Sequence, residues 1–122
     1  MRGFYITIVL FVLLFAGGVI NFLFINDVYE DINVLISDIS STPCAENEEK
    51  ISRLNYYWEN VDARVSISVS YLLIDEIENL IDSVGVYNQL NDATQLSYSL
   101  ALLKNATHNI RRLEEFSIKN IL

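Results

Sequence analysis

The side chains best placed to do chemistry are carboxylates. Asp75, Glu78 and Asp82 recur at steps of three and four, with Glu76 beside them, a spacing that sets them along one face of a helix. Such a ridge can hold a divalent cation or meet a basic partner surface; more commonly it is a solvated face. No glycine-hinged calcium loop accompanies it. The single histidine, His108, has no second histidine and no Glu-x-x-His pattern around it, and it reads as exposed surface. Cys44 is the only cysteine, which excludes an intramolecular disulfide framework and a cysteine-rich zinc site. At a helix start its thiol could be activated, but a nucleophile also needs a positioned base. Asn105-Ala106-Thr107 matches a glycosylation acceptor, yet it falls within a helix. Sixteen acidic residues provide many carboxylate pairs suited to hydrolysis, and nothing singles one out. No catalytic residue, metal or cofactor is assigned, and the chain reads as no enzyme. A net charge of −8 repels phosphate and argues against nucleic acid as a partner.

The elements that carry these residues are dominated by one feature. From Phe4 to Ile25 there is no charged residue. About twenty such residues match a ~30 Å hydrocarbon core, and a helix there satisfies every backbone group internally. A signal peptide cleaved after Ala16-Gly17-Gly18 and a buried core helix are the alternatives. The apolar run continues to Ile25, longer than a signal core, and favours an uncleaved anchor. Arg2 precedes the span, whereas Asp27, Glu30 and Asp31 follow it. Positive charge then holds the amino terminus in the cytoplasm and puts the rest of the chain outside it. Gly17 and Gly18 let another helix approach closely; ordinary glycine tolerance in membrane helices is the plainer reading. Asn21 either bonds across to a partner or lies near the interface within reach of water.

Beyond the span the period is helical. Val28, Ile32, Leu35, Ile36 and Ile39 continue the first helix to about Ser40. Thr42 before Pro43 signals a helix start, and Ile51, Leu54, Trp58, Val61 and Val65 form the second stripe. Val65 to Tyr71 alternates like a strand, but a lone strand has no partner, and helix is favoured. Leu73, Ile74, Ile77, Leu80, Ile81 and Val84 form a third stripe, with Gly85 a weakening point. Asn88 to Asn91 reads as a loop, Asp92 with Gln95 resembles a capping box, and Leu96 through Leu113 form a fourth stripe, with a break at Ser117. The expectation is an all-α protein: residues 1–25 a transmembrane anchor, residues 26–122 an extracytoplasmic antiparallel bundle of about four helices. The second helix, returning from Pro43, would bring Tyr56, Tyr57 and Trp58 near the membrane surface, with Trp58 as a core residue the competing reading. The fourth would end with Phe116, Ile118, Ile121 and Leu122 at the headgroups. A rival shape makes Pro43 to Tyr87 one long spine helix.

Met1-Arg2-Gly3 leading into the span, the lone Trp58, Ile74-Asp75-Glu76-Ile77-Glu78 and the ending from Phe116 to Leu122 give the chain a familiar layout. It resembles a family of small membrane-anchored proteins of spore-forming Firmicutes, the domain of unknown function 4363 family. The resemblance covers essentially the whole chain. The family often has a His-Glu-Glu run where this chain has Tyr71, Leu72 and Leu73. It implies no known activity, and it implies neighbouring multi-span membrane proteins of the YetF type.

Two roles follow as expectations. The first is a non-enzymatic single-pass accessory or scaffolding subunit, docked on a polytopic membrane protein through Gly17, Gly18 and Asn21. The second is a self-associating extracytoplasmic module, structural or sensory, binding cations or cell-envelope components.

Overall fold

Each apolar stripe becomes one buried helix face. The computed structural model describes residues 2–67 and 69–121, with side chains as far as Arg112. The described residues form four helices: α1 Arg2–Asp38, α2 Ala45–Val65, α3 Tyr71–Gln89 and α4 Ala93–Ile121. Ile25, Val28, Ile32 and Ile36 of α1, with Ile39 just beyond its end, meet Leu54 and Trp58 of α2, Ile77 and Val84 of α3, and Leu96, Leu103 and Ile110 of α4 in one core. Each helix packs on its neighbours in chain order, and α4 closes the ring against α1. The diagonal pairs, α1 with α3 and α2 with α4, do not pack together among the described residues. This is the all-α bundle expected, with connections short enough to make successive helices antiparallel.

The rival spine helix is not formed, and the favoured helix across Val65–Tyr71 is not either. α2 stops at Val65 and α3 starts at Tyr71. Serine hydroxyls offer the backbone alternatives to the helix here. Ser66 Oγ donates to Ala63 O at 2.6 Å, and Ser70 Oγ accepts from Leu72 N at 3.3 Å as the cap of α3. Val65 and Val69 are buried at 0% and 6% exposure while Ile67 points outward. The strand-like alternation is therefore the signature of a tight reversal over the core.

Two further boundaries differ from expectation. α2 begins at Ala45, two residues after Pro43, with Cys44 in the cap position and extended backbone, and no side chain of Cys44 caps it. The reason lies in Asn47 and Asn88, described below, which hold this connection instead. α4 runs unbroken past Ser117 to Ile121. The side chains of Phe116, Ile118, Ile121 and Leu122, expected at the headgroups, lie outside those described. The Asp92 cap is formed: Gln95 N donates to Asp92 Oδ1 at 3.0 Å. Asn91, at φ 55, supplies the left-handed residue that turns the chain between α3 and α4.

Candidate functional site: the base of the bundle

α1 passes through two environments. Residues 2–20 are exposed on every side, and burial begins with half-buried Asn21 and Phe22 and is complete at Ile25. The free segment is about 28 Å long at 1.5 Å per residue, close to the thickness of a hydrocarbon core. It is a helix long and apolar enough to cross a membrane, and among the described residues there is no other. Gly17 and Gly18 lie in this free segment, and a Cβ on either would meet nothing within 4 Å. Asn21 sits where the free rod joins the bundle.

The end of the bundle beside that junction is built from α1, α2, α4 and the α2–α3 turn. The Arg64 guanidinium lies 3.9 Å from the Phe24 ring centroid, and Tyr57 Oη donates to Asp31 Oδ2 at 3.0 Å. Seven residues on α1 thus match seven on α2, fixing an antiparallel register in which Tyr57 stands about 10 Å above Arg64. Burial pushes the Tyr57 phenol well above its ordinary range, helped by the Asp31 hydrogen bond and the charges of Asp31 and Asp27. Across α1, Tyr29 Oη and His108 Nδ1 are 3.3 Å apart, and the Arg111 guanidinium lies 5.3 Å from the Tyr29 ring. Histidine is exposed, as expected, but rests on Tyr29.

Tyr56, Tyr57 and Trp58 do not form one belt. Trp58 is 1% exposed, in the core, with no hydrogen-bond partner for Nε1 among the described residues; Tyr57 is half-buried and tied to Asp31; of the three, only Tyr56 offers its ring to the surroundings. Their expected placement near the surface counts from a return at Pro43, whereas α2 starts at Ala45 and continues to Val65, seven residues past Trp58. Among the described residues, the turn and the first residues of α3 carry exposed apolar groups at this end: Ile67 at 82%, Tyr71 at 72% and Leu72 at 79%. Their separation on either side of the serines hid them in the sequence.

Asp75 and Glu78 are half-buried and Asp82 exposed on α3. Among the described residues no group of three or more His, Cys, Asp or Glu side chains is placed to hold a metal ion.

At the opposite end sits a polar cluster that the apolar stripes gave no reason to expect. Asn47, 0% exposed, receives Ser40 N at Oδ1 (3.0 Å) and directs Nδ2 at Ser40 O (2.9 Å), Thr42 O (3.2 Å) and Asn88 Oδ1 (3.1 Å). Asn88 in turn accepts from Cys44 N and donates to Cys44 O, both at 3.1 Å. The only signal in sequence was an asparagine in the first turn of a helix, where a side chain can reach back to unpaired backbone.

A family model described as a domain of unknown function (DUF4363) matches residues 24–121. No curated protein and no solved structure matches the chain. The match starts at Phe24, where α1 enters the bundle.

Proposed function

We propose that this chain, which belongs to the DUF4363 family, is a single-pass membrane protein acting without catalysis as an accessory or scaffolding subunit of a larger, polytopic membrane protein. Its amino terminus lies in the cytoplasm and its bundle outside. The observation that carries this reading is the free segment of α1, apolar and exposed on all sides over residues 2–20. A bilayer is the solvent in which such a surface is stable. Within it, Gly17 and Gly18 leave an open notch, and in lipid such notches let helix backbones approach and pack. Proteins of the YetF type are the expected occupant of that notch.

The test is extraction in a mild detergent followed by affinity capture and quantitative mass spectrometry. A polytopic protein should be recovered in fixed stoichiometry and be lost from the Gly17→Ile/Gly18→Ile variant, while the bundle's circular dichroism is unchanged. Recovery of the chain alone overturns the reading. Recovery of a homo-oligomer would favour the self-associating module instead.

A further inference from the structure

We propose that the α2–α3 turn is a second membrane contact, in which Ile67, Tyr71 and Leu72 enter the headgroup–acyl boundary of the same bilayer that α1 spans. The inference rests on reading α1 as a span. Three observations carry it. The first is level. Arg64 stacks on Phe24, so Ile67, three residues further on, hangs beside the point where α1 leaves its fully exposed segment near Asn21. A bilayer that ends at that junction meets the turn. The second is composition. Ile67, Tyr71 and Leu72 are among the most exposed large apolar side chains outside the free segment, and they share one end of the bundle. Tyrosine favours the zone where one edge is apolar and the other wet, and Arg64 beside them complements anionic lipid phosphate.

The third is polar satisfaction. Backbone groups that enter a low-dielectric layer must carry their partners with them. Here Ser66 N donates to Asp62 O, Ile67 N to Arg64 O and Val69 N to Val65 O. Leu72 N donates to the Ser70 hydroxyl, and Leu73 and Ile74 N to Ser70 O. Six of the backbone N–H groups around the turn are therefore already paired where its apolar side chains stand outward. Two contacts, rod and turn, fix the tilt of the bundle where a single rod leaves it free to swivel.

Depth-dependent quenching tests this on the full chain. With Cys44→Ser as background, one environment-sensitive fluorophore is attached through Ile67→Cys at the turn, Leu90→Cys at the opposite end, or Phe11→Cys in the rod. The protein is reconstituted into vesicles of phosphatidylcholine and phosphatidylglycerol. Lipid brominated high on its acyl chains should quench the label at position 67 at least about twofold and leave position 90 unaffected, and lipid brominated deep in the chain should quench position 11. Quenching at 11 with position 67 behaving like 90 keeps the span and overturns the turn contact. Absence of quenching at both 11 and 67 overturns the span and the contact with it. A blue-shifted but unquenched label at 67 gives the turn to a second copy of this chain and overturns the lipid contact.

Discussion

Asn47 is buried completely, yet it and Asn88 serve the backbone of a connection that no helix pairs. Ser40 N, Ser40 O, Thr42 O, Cys44 N and Cys44 O all bond to these two amides. An unpaired buried group costs its full desolvation, about 1–3 kcal/mol each. Asn47→Ala should therefore destabilise the bundle by roughly 2–4 kcal/mol, read by chemical unfolding in a mild detergent. Because the two amides also bond to each other, Asn47→Ala/Asn88→Ala should cost less than the two single changes together, with a coupling of about 1–2 kcal/mol. Strict additivity would show that they act separately. Tyr57 makes a pH-dependent contribution. Its phenol is held neutral above its ordinary pKa of about 10, by burial first and by Asp31 second. Below that pH both folded and unfolded chains are neutral at this site and its contribution is complete. Above it the unfolded chain ionises first, so stability falls. Tyr57→Phe should lose the Asp31 bond at every pH but shed less further stability between pH 9 and 11 than the parent. An equal alkaline loss in both proteins would remove Tyr57 as the cause.

At the scale of the helix, Gly85 lies inside α3 and not at its end. A Cβ there would rest 3.7 Å from Ile51 Cγ2, an ordinary van der Waals contact. Gly85→Ala should then stabilise the fold by about 0.5–1 kcal/mol through helix propensity and the lost freedom of the unfolded chain. A lower unfolding midpoint would mean that α2 and α3 approach more closely than this distance implies. The same helix shows what sequence could and could not convey. Stripes such as Leu73, Ile74, Ile77, Ile81 and Val84 were legible because burial of one face imposes the period directly. The boundaries were not. Thr42-Pro43 carries a local start signal, but the connection is held by Asn88, forty-four residues from Cys44, and no local rule reports so distant a bond. The Val65–Tyr71 reversal misread as helix for a related reason: Val65 and Val69 satisfy a helical, a strand and a turn pattern alike. The candidate site divides the same way. The rod was plain from Phe4 to Ile25, whereas Ile67, Tyr71 and Leu72 are marked by exposure, which only the packed bundle determines.

At the scale of the whole molecule, α1 joins an exposed apolar rod over residues 2–20 to a packed bundle whose core starts at Ile25. Leu13 and Leu14 are 62% and 76% exposed and touch none of the core, so the bundle gains nothing from them. On the proposed reading of this segment as a membrane span, lipid is what stabilises them. Each arginine placed at the centre of a membrane helix costs about 2.5–3.5 kcal/mol for insertion. Leu13→Arg/Leu14→Arg should therefore shift the protein from the membrane pellet to the soluble fraction under alkaline carbonate. The unfolding midpoint of the bundle, measured on both proteins in the same detergent, should stay unchanged, because the core starts at Ile25. Release together with loss of the bundle would show that the rod and the head fold as one unit. Retention in the pellet would show that contacts other than the rod hold the protein there, and the α2–α3 turn is the surface on which to look for them.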